Sequence, residues 1–233
     1  MWLSIGGSGI DTAYSYQNQI AIGAAIGAAV ANGTIASRDE VFITTKINPT
    51  TCSAAAALAA VKVDVHQLGV ERVDLVLQHF PCSSDTENAA VWAGLIEARR
   101  QGLARAIGVS HFGVDQLQAI VAATGVTPAV NQCDMYVGGH DDATLAYCDA
   151  HNITYEAFGA LRDVDFDNAA LEAVARAHAV SPAQVALRFI TQYGVRGHPL
   201  AVSPGTNMQY AREDLELGAF TLTDDEVTRL AAI

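Results

Sequence analysis

A chain of 233 residues with a net charge of −12 has no clustered basic surface for phosphates, so nucleic-acid binding is excluded as a main role. Apolar residues make up 51% and charged residues 16%, which predicts one buried-core globular domain over residues 1–233 rather than a disordered chain. Cys52, Cys82, Cys133 and Cys148 form no CxxC pair and have no His-rich partner spacing, so free thiols in a reducing, cytoplasmic setting are expected and a zinc site is not.

Along the chain, short β-branched runs alternate with helical patterns. Strands are predicted at residues 9–13, 41–46, 73–79, 104–109, 129–132, 154–158 and 200–202. Helical segments lie between them, among them 53–68, 89–101 and 115–123. Ser181-Pro182-Ala183-Gln184 and Thr223-Asp224-Asp225-Glu226 read as capping boxes, and Gly102 after Arg99-Arg100-Gln101 reads as a helix stop. The alanine-rich run 20–31 is broken by Gly23 and Gly27 and is too short to span a bilayer.

This alternation suits either an open doubly wound sheet or a barrel. The polar residues favour the barrel. Asp11, Lys46, His79, Ser110 and Gln132 each fall at or just past the C-terminal end of a different strand, and in a (β/α)8 barrel those ends converge on the rim that carries the site.

Singly, each of these side chains has an ordinary reading as a cap, a strand end or a loop residue. Together they form a carbonyl-reducing set. Hydride addition to a carbonyl leaves an alkoxide that needs a positioned acid. A tyrosine hydroxyl serves if a lysine ammonium stabilises the tyrosinate and a carboxylate holds the lysine charged. A histidine then orients the carbonyl.

The strings IDTAYSYQN, VFITTK, VDLVLQHFP, GLARAIGVSHF, VNQ and SPAQVALRFITQYGV resemble aldo-keto reductase motifs in that family's order, through nearly the whole chain. The resemblance implies an NAD(P)H-dependent oxidoreductase acting on an aldehyde or ketone, on a TIM-type barrel, without a metal. It implies Asp11, Tyr16, Lys46 and His79 as the catalytic set, with Tyr16 rather than Tyr14 as the acid because the family's tyrosine stands five positions after the Asp.

For the cofactor, NADPH with NADH as the alternative, the resemblance implies Ser110 and Gln132 at the carboxamide and Phe158 stacked on the nicotinamide, with Leu161 in the same AFGALR string. His111 stands where the family has Asn, and Gly159 where it has Ser. Ser203, Gly205 and Thr206 overlie the family's phosphate string, though its Lys is absent. Glu213 and Asp214 overlie the adenine contacts.

In the family a strand and helix precede the DTA strand, and residues 1–6 supply at most the last turn of that helix. The expectation is therefore a barrel of about seven parallel strands lacking its first βα unit of ~30 residues, with edges at 9–13 and 200–202. The residues leave three alternatives beside the reductase: a catalytically weak or inactive nucleotide-binding subunit, an unstable fragment, and a Schiff-base aldolase using Lys46. The substrate is a small carbonyl compound. No membrane or nucleic-acid partner is expected, and the oligomeric state stays open.

Overall fold

The computed structural model describes residues 1–193 and 207–233. The chain falls into two compact units, Met1–Asn131 and Gln132–Ile233.

The first unit holds strands β1 (Gly9–Asp11), β2 (Phe42–Ile47), β3 (Val73–Gln78) and β4 (Ala104–Ser110), with helices α1 (Gln19–Ala31), α2 (Ala54–Leu68), α3 (Asp85–Arg100) and α4 (Val114–Thr124). Consecutive strands pair in parallel, with Asp11 opposite Thr44, Lys46 opposite Leu77, and Leu77 opposite Gly108. Strand β3 is buried at every position, as a parallel strand covered on both faces must be.

Local chemistry sets the boundaries. Ser53 and Ser84 cap α2 and α3 by accepting the backbone N–H of Ala56 and Glu87. Helix α3 opens on Asp85 and Glu87 and closes on Arg99 and Arg100, which matches the helix dipole, and Gly102 follows in the left-handed region. Gly94 lets α3 approach α2 closely, since a Cβ there would stand 2.5 Å from the Ala54 carbonyl oxygen. Before β1, Trp2 anchors the 3₁₀ turn Leu3–Ile5 by donating its indole N–H to the Gly9 carbonyl at 2.8 Å.

Strand β5 (Val130–Asp134) runs through the boundary at Asn131, and β6 (Thr154–Phe158) lies in the second unit with α5 (Asp142–Ala150), α6 (Ala169–His178), α7 (Pro182–Gln192), α8 (Met208–Leu215) and α9 (Asp224–Ala231). The described strands follow chain order, β1-β2-β3-β4-β5-β6. Both expected capping boxes form, at Ser181/Gln184 and Thr223/Glu226. Helix α7 buries Val185, Leu187, Phe189 and Ile190, and the His178 side chain meets the Glu226 carboxylate at 3.0 Å to join α6 to α9. The expected strand at 200–202 lies outside the described residues. Among the described residues no helix is long and apolar enough to cross a membrane.

The cysteines depart from expectation. Cys52 and Cys82 form a disulfide, while Cys133 and Cys148 stay outside it. No short motif announces this pair, because the two residues are 30 apart in sequence. Parallel pairing brings them together: Ile47 lies opposite Gln78, so the loops that leave β2 and β3 run side by side. Denatured without reductant, the protein should expose two thiols, and with reductant all four. Reduction should cost about 3.7 kcal/mol of stability, the chain-entropy value for a loop of this length. Four thiols before reduction would refute the bond.

Candidate active site

The first unit gathers Asp11, Tyr16, Lys46 and His79 at the C-terminal ends of three adjacent strands. Asp11 ends β1, and the chain then makes the 3₁₀ turn Tyr14–Tyr16, closed by Gln17 in the left-handed region. Lys46 is the penultimate residue of β2, and His79 immediately follows β3.

Lys46 is 2% exposed, and burying an ammonium is costly unless its protons and charge are met. All three donors find oxygen. The Nζ group forms a short ion pair with the Asp11 carboxylate, donates to the Thr12 carbonyl at 3.3 Å, and reaches the Tyr16 hydroxyl at 3.4 Å. It also stands 5.0 Å from the Tyr16 ring centroid. Thus Tyr16, not Tyr14, presents its hydroxyl to the lysine. Tyr16 itself is half exposed.

His79 is 7% exposed and sets its ring edge-on to Tyr16 at 5.8 Å. Burial, with the charge of Lys46 and the nearby His111, lowers its pKa to about 4, so the imidazole is neutral at physiological pH. Phe80 stacks on it at 4.3 Å and leans on His111 at 4.7 Å. Beyond it, Asn88 holds the loop: its Oδ1 accepts the Cys82 N–H at 2.6 Å and the Gln78 amide at 3.1 Å.

Ser110 ends β4 fully buried, and His111 follows with φ of 63°. The His111 Nδ1 lies 3.1 Å from the His79 carbonyl and 2.9 Å from the Ser110 hydroxyl. A carbonyl only accepts, so Nδ1 carries the hydrogen. The structure therefore brings Ser110 and His111 beside the four-residue set.

In the second unit, Gln132 is buried on β5 and donates its amide to Glu156 at 3.0 Å. Phe158 ends β6, with the Arg162 guanidinium 5.6 Å from its ring centroid and Arg162 also ion-paired to Asp134. Gly159 adopts φ of 68°, and a Cβ there would stand 2.5 Å from an Asp134 carboxylate oxygen. Both facts mean that the serine which the family resemblance sets at this position would be strained here. Leu161 is half-buried in the turn that follows.

On α8, the Glu213 carboxylate accepts from Gln209 and Ser181, while burial and the neighbouring Glu213 raise the Asp214 carboxyl to about 6. Ser203, Gly205 and Thr206 lie outside the described residues. Sequence reasoning missed Glu156, Asp134 and Arg162, whose partners are distant in sequence and carry no motif.

The Aldo/keto reductase family model matches residues 1–163 and 165–233. The chain belongs to the aldo-keto reductases. It is accordingly an NAD(P)H-dependent carbonyl oxidoreductase. A relative described as an aldo-keto reductase from Mycolicibacterium smegmatis is 35% identical over 95% of this chain and 75% of its own length. The 2,5-diketo-D-gluconic acid reductase B of a Corynebacterium species is 32% identical over 96% of this chain and 78% of its own length.

Among solved structures, an aldo-keto reductase (AKR2E5) complexed with NADPH superposes with a TM-score of 0.89 at 28% identity, covering 99% of this chain and 75% of that one. The Bombyx mori enzyme AKR2E4, in complex with NADP, gives 0.88 at 28% identity, covering 99% and 80%. The α/β barrel-type fold expected from the sequence is the fold of these enzymes.

In the first unit the chemistry of a buried Ser110 hydroxyl and the His111 imidazole fits the donors and acceptors of a carboxamide. In an NMR titration the His79 ring should stay neutral through most of the window between about pH 5 and 8, with its midpoint near 4. Its stability contribution is present above the ordinary histidine pKa and fades as pH falls toward 4, because the unfolded ring takes up its proton first. A midpoint at the ordinary histidine value would overturn this environment.

Proposed function

We propose that this aldo-keto reductase uses Tyr16 as the general acid in reducing a small aldehyde or ketone, and as the base in the reverse direction. The observation that carries the reading is the buried Lys46 ammonium, which joins Asp11 to the Tyr16 hydroxyl in a single cluster.

Reduction puts negative charge on the carbonyl oxygen. His79, neutral and edge-on to Tyr16, supplies a hydrogen bond to that oxygen and orients it toward the tyrosine. Tyr16 gives its proton to the alkoxide oxygen, which breaks the Oη–H bond and leaves a phenolate. Lys46 stabilises that phenolate by charge and hydrogen bond. Asp11 keeps the ammonium charged and fixed, so the favourable dipoles stand ready before the reaction. When bound, the reduced nicotinamide supplies the hydride.

The residues proposed to hold the cofactor are Ser110 and His111 in the first unit and Gln132, Phe158, Leu161, Glu213 and Asp214 in the second, together with Ser203, Gly205 and Thr206. NADPH is the proposed cofactor, with NADH as the alternative, and the NADPH and NADP complexes of the two structural relatives support this choice. Because the family match runs through both units, residues 1–233 are proposed to act as one catalytic domain.

Purified protein given NADPH and a generic aldehyde should consume the cofactor, read as loss of nicotinamide absorbance. Tyr16→Phe should lower kcat by roughly 10²–10⁴, the range for loss of a general acid, while NADPH affinity by fluorescence quenching stays unchanged. An unchanged rate in Tyr16→Phe would remove it from the acid's role.

A further inference from the structure

Behind β2, on the face opposite Lys46, lies a polar cluster that the chemistry described so far does not use. Strand residues alternate sides, so Thr45 points toward the helices while Lys46 points toward the site. Thr45 is fully buried, as are Gln19 at the start of α1 and Asp64 in the middle of α2. The Thr45 hydroxyl lies 2.8 Å from Gln19 Oε1 and 3.1 Å from Asp64 Oδ2, and Gln19 Nε2 lies 2.9 Å from Asp64 Oδ1. The same nitrogen also donates to Gln67 Oε1 at 3.0 Å.

These contacts form a closed ring of three side chains, and counting hydrogens bears on its protonation. With the Gln19 amide as placed, its nitrogen donates to Asp64 and the single Thr45 hydrogen goes to Gln19 Oε1. The Thr45–Asp64 contact then has no hydrogen unless the carboxyl supplies one. Reversing the amide does not help. Gln19 then donates to Thr45 and Thr45 to Asp64, but the remaining contact sets a Gln19 oxygen against an Asp64 oxygen. In either orientation one hydrogen is missing for three two-centre bonds, and a protonated Asp64 provides it.

We propose that Asp64 is a positioning residue acting as a neutral acid: its carboxyl proton closes a ring with Thr45 and Gln19 that fixes, from the helix side, the segments carrying Lys46 and Tyr16. Thr45 immediately precedes Lys46, and Gln19 stands three residues after Tyr16, so the ring spans both partners of the acid–ammonium contact. Its effect on turnover rests on the assignment of Tyr16 as the acid.

The surroundings agree with a carboxyl that is neutral below about pH 6. Burial raises Asp64 to about 6, opposed only by its bonds to Gln19 and Thr45. Of the elements packed on it, α1 carries no charged residue, and β2 carries Lys46 alone, on the other face. On its own helix the other titratable groups are Lys62 and His66, and α3 beyond carries Asp85, Glu87, Glu97, Arg99 and Arg100. None of these charges contributes to the shift. Because the folded carboxyl holds its proton longer than the unfolded one, the stability it confers is full below the unfolded carboxyl pKa and lost as pH rises through about 6.

Asp64→Asn decides the protonation. An asparagine amide donates where the acid proton did, so at pH 5, where the Asp64 carboxyl holds its proton, kcat should remain at the wild-type level. The Tm advantage of Asp64→Asn over wild type should widen as pH rises from about 4 to about 6, then level. Thr45→Val, which keeps the shape and cuts the ring, should lower kcat about tenfold or more, with the NADPH dissociation constant unmoved. A Tm difference that is flat with pH, or a fall in kcat for Asp64→Asn equal to that of Thr45→Val, would mean an ionised Asp64 and overturn the proposal. Full kcat in Thr45→Val would overturn the positioning role. If wild type reduces no carbonyl, the Tm measurement still decides the ring, and the failure belongs to the Tyr16 assignment.

Discussion

The buried Lys46 ammonium is the constraint around which the first unit is organised. A charge at 2% exposure persists only where a counter-ion and enough acceptors are fixed in advance, since removing it from water costs on the order of several kcal/mol before compensation. Asp11, the Thr12 carbonyl and the Tyr16 hydroxyl meet that demand. They do so because β1 and β2 are in parallel register, with Asp11 opposite Thr44, and because the chain turns sharply at Tyr14–Tyr16 rather than continuing as strand. A slip of one residue in that pairing would send Lys46 to the helix side and Thr45 to the site. Register, helix packing and the chemistry of the cluster are one requirement.

Much of this was legible in sequence because it is encoded by period and position. Strands buried on both faces read as continuous β-branched runs. Polar residues at their C-terminal ends stand out against that background, and Asp11, Lys46, His79 and Ser110 were visible for this reason. The helix ends were legible too: Ser181 with Gln184, Thr223 with Glu226, and Gly102 are local signals whose partners lie within four residues. What escaped were contacts between residues far apart in sequence. Cys52 and Cys82 meet only because two strand-end loops run side by side. Gln19, Thr45 and Asp64 belong to three different elements, and nothing in the spacing of a lone Asp on an alanine-rich helix distinguishes a buried carboxyl from a solvated one.

Departures from the family pattern follow the same logic. Gly159 in place of a serine is a local loss in sequence, yet the backbone there is left-handed and a Cβ would press on Asp134, which itself holds Arg162 over Phe158. The glycine is thus part of a set that includes Asp134 and Arg162. His111 in place of an asparagine is likewise tied in, through its Nδ1 hydrogen bond to the carbonyl of His79. That bond fixes the backbone of the residue whose neutral ring stands beside Tyr16. Both residues are thus tied into contacts that their neighbours make.

Strand β2 joins these observations. Its two neighbouring polar residues face opposite ways, and the two faces solve the problem of burial differently. On the site face a charge is kept and neutralised by an opposite charge. On the helix face a carboxylate would be stranded without a cation, so hydrogen-bond counting favours the acid form and a neutral ring. An ionised pair suits the face where charge develops during reaction, because its field is used there. A neutral ring suits the face whose task is to hold the strand still, since it rigidifies three elements without adding a second field behind Lys46. The division of labour across a single strand follows from the two-residue period of the β conformation, with the electrostatics assigned to one side and the mechanical constraint to the other.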